Sequence, residues 1–232
     1  MAPLFVFLGV MTLVSLPGLK WDHPDAPWWR QQPQQWVYPL QTVVCLALVT
    51  FWWRRYTFRP LTGKGIALAL AAAVVGMALW FTPNWVFRAT GWENGLLGFA
   101  DRSQPGFDPT LFGTGTAAWW TAVTLRFLRM VVAVPFVEEL FWRGFLWQYL
   151  AAPDGRWERQ PIGTPNVRAW LGSSLAMTAA HPGDLLACFI WAMLAGWLLM
   201  RTRSLGVCIA FHAASNLILG LYIMLTKQWG YW

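Results

Sequence analysis

Charged side chains are scarce in this sequence. Only 12% of its 232 residues are Asp, Glu, Lys or Arg, whereas 57% are hydrophobic, and the mean hydropathy is +0.42. A soluble domain carries about 25% charged residues, so this composition predicts an integral membrane protein. The net charge of +7 would suggest nucleic acid binding in a soluble chain. Here Lys and Arg cluster beside apolar runs, as orientation signals do, so we predict a lipid bilayer and no nucleic acid partner.

Cysteine is also rare, and several well-known motifs are absent. Cys45, Cys188 and Cys208 each lie within an apolar run, with no CxxC pair and no Cys/His spacing typical of zinc sites. We therefore interpret all three as small buried hydrophobic residues. The sequence has no HExxH motif of zinc proteases and no GxGD motif of aspartyl intramembrane proteases. Ser173 and Ser174 do not lie in a sequence context like that of the rhomboid serine proteases, so we do not predict a serine nucleophile.

Long apolar segments dominate the rest of the chain. They predict an all-α fold, a polytopic membrane helix bundle of about seven or eight transmembrane helices that forms a single integral membrane domain over residues 1–232. The segment 117–150 would be about 50 Å long as one straight helix, so we expect it to break at Pro135. We expect the polar segment 82–116 to be a connector or a cap over a cavity. The other apolar segments are 4–19, 36–53, 65–81, 169–181, 184–200 and 205–225.

Basic residues between the apolar segments predict the orientation. Residues 54–64 contain four basic residues and no acid, which is the strongest orientation signal in the chain. We expect this segment, 156–168 and 201–203 to be cytoplasmic, with the N-terminus inside and residues 82–116 outside. We interpret the first apolar segment as a retained helix and not as a signal peptide. The segment 65–81 is rich in Ala, Gly and Val, which favours close packing inside the bundle.

Two adjacent acids and one arginine interrupt the apolar run PFVEELFWRGFLW at residues 135–147. A charged side chain at mid-membrane costs at least about 2.5 kcal/mol, so we expect these three to be paired, hydrated or functional. Glu139 and Arg143 are four residues apart and therefore neighbours on one helix face, whereas Glu138 points about 100° away. We predict a pair between Glu139 and Arg143, with Glu138 as the carboxylate left for chemistry.

Three more polar side chains lie in or beside the later apolar segments. His181 directly precedes Pro182 and Gly183, while His212 and Asn216 are four residues apart and share one helix face. A lone polar residue in a membrane helix commonly forms an interhelical hydrogen bond. A glutamate with two histidines and an asparagine can instead supply a base that activates water and donors for a developing oxyanion.

Three short motifs occur in order along the chain. They are EExxxR at Glu138, Glu139 and Arg143, the histidine of a second motif at His181, and HxxxN at His212 and Asn216. Together they resemble the type II CAAX prenyl endopeptidase and bacteriocin-processing family of intramembrane proteases, with residues 117–225 as the family core. RTRSLG at 201–206 is similar to a phrase that precedes the family's last histidine. The family's second motif usually reads FxxxH, and Met177 here keeps an apolar contact but loses an aromatic one.

The resemblance implies a glutamate-type intramembrane protease that needs no metal. In that scheme Glu138, helped by His181, activates a water molecule to attack the scissile carbonyl, and His212 with Asn216 holds the oxyanion. Zinc stays open as an alternative cofactor, because two histidines and a glutamate are ligand types that zinc uses.

The same resemblance implies that Glu139 and Arg143 are structural or substrate-positioning. It implies a membrane-associated peptide or protein C-terminus as the substrate. A small chain with 19 Trp and no targeting segment favours a bacterial inner membrane, and hence a peptide or C-terminal anchor over a prenylated protein. The oligomeric state is not predicted.

A hypothesis from another class is a non-catalytic membrane protein, such as a peptide immunity factor or a small transporter. Its polar residues would only pack helices or line a path. The two hypotheses differ in whether the four residues of the proposed catalytic set converge on one water-accessible cavity.

Overall fold

The computed structural model describes residues 2–14, 27–103 and 106–232, and over these ranges the chain is almost entirely helical. The described ranges contain no β-strand, and only an isolated bridge joins Asn94 to Phe99. The predicted all-α class is therefore confirmed. The main helices are α1 (Ala2–Val14), α2 (Gln34–Phe51), α3 (Gly63–Thr90), α4 (Ala117–Ala151), α5 (Val167–Ala179), α6 (Leu185–Thr202) and α7 (Leu205–Thr226).

Four of these helices, α3, α4, α6 and α7, are long and apolar enough to cross a membrane. A shorter apolar stretch, Ala2–Thr12, lies in α1. The predicted first span 4–19 overlaps α1, and its residues 15–19 lie outside the described residues. Helices of this length and composition make the chain an integral membrane protein.

The chain divides into two compact units, and the division falls inside α4 between Glu138 and Glu139. The first unit comprises Met1–Tyr56 and Pro109–Glu138, as far as these ranges are described. In it α2 packs against α1 and against the first half of α4. The buried side chain of Gln41 on α2 donates from Nε2 to the carbonyl oxygen of Phe7 at 2.6 Å.

The second unit comprises Thr57–Asp108 and Glu139–Trp232. Within it α3 packs against α6 and α7, while α5 packs against α6 and the end of α4. Small buried residues on α3 allow this approach, since a Cβ atom added to Gly76 would lie only 3.2 Å from the Trp191 ring on α6. The prediction that this helix packs inside the bundle is confirmed.

Polar residues fix the starts of several helices. The side chains of Thr62, Asn166 and Ser204 accept hydrogen bonds from backbone N–H groups in the first turns of α3, α5 and α7. These bonds satisfy donors that a helix start leaves open. The α3 helix ends at Gly91, which has a φ of 73° and donates its N–H to the Phe87 carbonyl oxygen, a geometry that favours glycine.

Two predicted helix boundaries are wrong. The α4 helix does not break at Pro135 but continues to Ala151 with π-helical turns at Arg129–Ala133 and Trp142–Leu146. The first π turn ends just before Pro135, and its wider hydrogen-bond pattern accommodates a residue that has no N–H group.

The second prediction placed a helix end near residue 81, but α3 continues through Pro83 to Thr90. Helices inside a membrane bundle tolerate proline because neighbouring segments satisfy the freed backbone groups and hold the helix in place. Here the side chain of Asn84, next to Pro83, is buried and donates to the carbonyl oxygen of Ala100 at 2.7 Å. The polar connector therefore begins at Gly91.

Candidate active site

Glu139 is the centre of a buried polar cluster in the second unit. Its Oε1 atom lies 3.1 Å from Nη1 of Arg143 and 2.8 Å from Nδ1 of His212. Glu139 and Arg143 are 0% and 1% exposed. The pair predicted from the four-residue spacing is therefore confirmed. The contact with His212, 73 residues further along the chain, was not predicted.

Arg143 is held on several sides. Besides Glu139, its Nη1 group lies 3.0 Å from the sulfur of Met177 on α5, and its Nη2 group donates to the Ala192 carbonyl oxygen on α6 at 3.4 Å. Its guanidinium also lies 5.7 Å from the centre of the Trp191 ring. Arg143 thus ties the end of α4 to α5 and α6.

The ring of His212 is fixed by two neighbours. A carboxylate that already accepts from Arg143 also accepts from the ring, so Nδ1 of His212 carries a hydrogen. The Trp191 ring packs edge-on at 4.7 Å, and its Nε1 group donates to Oγ of Ser215 at 3.0 Å. Nε2 of His212 is then the atom left for chemistry. It is an acceptor in the neutral ring and a donor in the imidazolium.

His181 follows the end of α5 and is oriented by its own helix. Its Nδ1 atom lies 2.8 Å from the carbonyl oxygen of Met177. Because a carbonyl oxygen can only accept, Nδ1 carries the hydrogen, and Nε2 holds the lone pair when the ring is neutral. Met177 therefore contacts Arg143 through its sulfur and His181 through its carbonyl.

The turn after His181 is bound to the connector that follows α3. Arg102 donates to Oδ1 of Asp184 at 2.7 Å and to the carbonyl oxygen of Gly183 at 2.6 Å. The N–H of Leu185 donates to the carbonyl oxygen of Leu96 at 3.3 Å. Burial raises the pKa of Asp184 to about 6, although Arg102 and His181 oppose this rise. The connector thus supports the segment that carries His181.

Glu138 belongs to the first unit, where α4 contributes its residues up to this position. It is 8% exposed, and its buried Oε2 atom has no hydrogen-bond partner among the described residues. Buried polar atoms without partners are uncommon in native proteins. Oε2 of Glu139 is likewise without a partner among the described residues. The two acids differ because Oε1 of Glu139 is bound by both Arg143 and His212, and we therefore regard Glu138 as the acid with an acceptor for a water molecule or a substrate.

Asn216 lies one turn beyond His212 on α7 and is half-buried. The structure thus brings together Glu139, Arg143 and His212 directly, and connects His181 to them through Met177. Across the described residues, no group of three or more His, Cys, Asp or Glu side chains is arranged to hold a metal ion.

Residues 118–218 match a family model described as type II CAAX prenyl endopeptidase Rce1-like. The matched range starts in the first turn of α4, ends in α7 and contains the EExxxR motif, His181 and the HxxxN motif. The region is similar to that family, and we name it the Rce1-like domain. No curated protein and no solved structure gives a significant match. The match to the family model confirms the predicted family resemblance and supports a protease-type function.

Several supporting residues of the Rce1-like domain were missed in the sequence. Trp191 packs against His212 and donates to Ser215, and Met177 contacts Arg143. Met177 had been noted as a departure from FxxxH, and its sulfur provides an acceptor that phenylalanine lacks. The pair of Arg102 and Asp184 joins positions 82 residues apart, and no local pattern indicates it.

Proposed function

We propose that this protein is an intramembrane endopeptidase in which Glu138 and His181 activate water and His212 with Asn216 stabilises the oxyanion. The observation that carries the proposal is the difference between two adjacent buried acids inside the Rce1-like domain. The Oε2 atoms of both acids have no hydrogen-bond partner among the described residues, but Oε1 of Glu139 is bound by Arg143 and His212. A base needs a free acceptor, and a positioning residue needs fixed partners.

The proposed reaction is hydrolysis of a peptide bond. Glu138 takes a proton from the attacking water as the oxygen–carbon bond forms, and the carbonyl oxygen becomes an oxyanion. Nε2 of His181, which holds a lone pair in the neutral ring, orients the same water by accepting its second hydrogen. Collapse of the tetrahedral intermediate breaks the carbon–nitrogen bond, and the proton held by Glu138 passes to the leaving amine.

The proposed role of His212 requires a specific protonation state. Its Nδ1 group already donates to Glu139, so donation to an oxyanion from Nε2 needs the imidazolium form. The amide of Asn216, one turn away, would supply the second donor.

The proposed substrate is a peptide or protein C-terminus that already lies in the membrane. Glu139 and His212, which form the core of the site, lie in α4 and α7, and both helices are apolar and long enough to span a bilayer. A substrate that reaches them must therefore enter from the lipid phase or from a membrane-embedded cavity. The predicted bacterial inner membrane stays part of this proposal.

The test is single-turnover cleavage of a membrane-associated reporter peptide by detergent-purified His212→Ala and Asn216→Ala, normalised to folded protein. Loss of an oxyanion donor should lower the rate by about 100-fold or more and leave substrate binding little changed. Asn84→Ala is a matched control, because Asn84 is a buried helix asparagine bonded to the Ala100 carbonyl oxygen. Its rate per folded molecule should stay normal.

Near-normal rates per folded molecule in both His212→Ala and Asn216→Ala would contradict the proposal. That result would favour the non-catalytic alternative, in which these residues only join helices. Repeating the wild-type assay with phenanthroline tests the zinc alternative, since a zinc-dependent enzyme loses activity when its metal is chelated.

A further inference from the structure

His181 starts a tight turn that leads from α5 into α6. The N–H of Asp184 donates to the carbonyl oxygen of His181 at 3.3 Å, and Gly183 has a φ of 94°. Pro182 in the second position and a glycine in the third form the sequence pattern of a type II turn, which fixes the backbone over four residues. Contacts that hold Gly183 and Asp184 therefore also hold His181.

The carboxylate of Asp184 does not cap α6. Asp184 directly precedes the first residue of that helix, a position from which aspartate commonly accepts hydrogen bonds from first-turn N–H groups. Its side chain forms no such bond, and its Oδ1 atom accepts from Nη2 of Arg102 at 2.7 Å instead. The same Nη2 group donates to the carbonyl oxygen of Gly183 at 2.6 Å. One guanidinium nitrogen thus holds two consecutive residues of the turn.

Arg102 is itself held by the segment that follows α7. Its carbonyl oxygen accepts from the N–H of Gly230 at 2.7 Å, and its guanidinium lies 5.1 Å from the centre of the Tyr231 ring. A Cβ atom added to Gly230 would lie only 3.0 Å from the Arg102 carbonyl oxygen, so a side chain there would disturb this contact. The Tyr231 ring also packs edge-on against Phe81 of α3, with 5.9 Å between the ring centres. Arg102 therefore reaches the turn from a fixed support.

Stability alone is a poor explanation for the pair of Arg102 and Asp184. Burial raises the pKa of Asp184 to about 6 although Arg102 opposes the rise. The carboxylate therefore loses more from desolvation than it recovers from its charged partners. A pair of this kind adds little to the stability of a fold, but its short charge-assisted bonds define a geometry.

We propose that Arg102 and Asp184 are positioning residues for His181 in the hydrolysis, an inference that rests on the proposed function. By holding the turn, they keep the His181 ring in the orientation in which Nδ1 donates to the Met177 carbonyl oxygen, and Nε2 serves the attacking water. They act through His181 and not by contact with the peptide. A displacement of about 1 Å can slow a reaction about 100-fold, so loss of the pair should slow cleavage.

The first test is single-turnover cleavage by detergent-purified Arg102→Gln and Asp184→Asn, with the rate expressed per folded molecule. We expect the rate to fall about tenfold or more, while the half-saturating concentration of the reporter peptide stays unchanged. In a His181→Ala background the same substitutions should lower the remaining rate by less than about twofold, because the residue through which they act is gone. Arg156→Gln is the matched control, since Arg156 forms an exposed ion pair with Asp154 at 3.6 Å, and it should cleave at the wild-type rate.

The second test does not depend on cleavage. The sequence contains three histidines, so the ring signals in an NMR spectrum of protein with isotope-labelled histidine can be assigned with His181→Gln and His212→Gln. In the wild type, His181 should give one sharp set of ring signals. In Arg102→Gln and Asp184→Asn this set should broaden or split, because the ring samples more than one orientation, whereas the His212 signals should stay sharp.

The two tests separate this inference from the proposed function. Unchanged His181 signals in both variants would overturn the positioning role whatever the cleavage assay shows. Rate losses that are fully additive with His181→Ala would also overturn it. A wild-type protein that cleaves no reporter peptide would contradict the proposed function, and the NMR signals would still decide whether the pair orients His181. If Arg102→Gln does not fold, the results with Asp184→Asn decide.

Discussion

Replacing Glu139 with Gln tests the buried cluster most severely, because one atom of Glu139 serves two partners. The substitution preserves the shape of the side chain and removes its negative charge. Arg143, which is 1% exposed, would then be a buried cation without its carboxylate. Removing one partner of a buried ion pair costs about 3–5 kcal/mol. The amide oxygen of Gln keeps one neutral hydrogen bond of about 1 kcal/mol, so we expect a net loss of about 2–4 kcal/mol.

The assay is reversible unfolding in mixed micelles, with the free energy of unfolding as the readout and the melting temperature as a second measure. For a protein of this size, the expected loss lowers the melting temperature by about 5–15 °C. Glu138→Gln is the matched control, because Oε2 of Glu138 has no partner among the described residues. It should change stability by less than about 1 kcal/mol.

A double-mutant cycle gives the coupling energy directly. If Glu139 and Arg143 stabilise each other, Arg143→Gln should cost much less in the Glu139→Gln background than in the wild type. Additive effects, or a Glu139→Gln variant as stable as the wild type, would refute the reasoning. Equal destabilisation by Glu138→Gln and Glu139→Gln would refute the distinction between the two acids.

Two further predictions concern pH and orientation. Because the pKa of Asp184 is about 6 in the folded protein, against an ordinary value of 3.8, its contribution to the free energy of unfolding should be greatest at low pH. That contribution should fall by about 3 kcal/mol as the pH rises from about 4 to about 6. In Asp184→Asn, the free energy of unfolding should therefore fall less steeply between about pH 4 and about pH 6 than in the wild type. An unchanged dependence on pH in the melting curves would contradict the raised pKa of Asp184. Gly95 and Arg59 are exposed positions on either side of α3. Because the basic segment 54–64 is predicted to be cytoplasmic, an impermeant thiol reagent added to sealed cells should label Gly95→Cys and not Arg59→Cys. External labelling of Arg59→Cys would overturn the orientation.

Local spacing was sufficient to predict part of the site. The pair of Glu139 and Arg143 follows from helix geometry, because residues four apart share a face. The small residues of α3 correctly indicated close packing. The order of the EExxxR, histidine and HxxxN motifs also indicated the family that residues 118–218 match.

Tertiary contacts determined the features of the fold and of the site that the sequence did not predict. Nothing in the local sequence indicates that His212 donates to Glu139, because the two lie on different helices. Pro83 and Pro135 have a strong local tendency to end a helix, but α3 and α4 continue through them. Packing against neighbouring helices and the π turn before Pro135 outweigh that tendency.

The most direct measurement of the proposed chemistry is single-turnover cleavage by Glu138→Gln, with the rate expressed per folded molecule. An amide cannot take the proton from the attacking water, so this variant should fold like the wild type and bind the reporter peptide. Its cleavage rate should fall by at least about 100-fold, the lower end of what a positioned base contributes. A folded Glu138→Gln variant that cleaves the peptide at the wild-type rate would contradict the proposed mechanism.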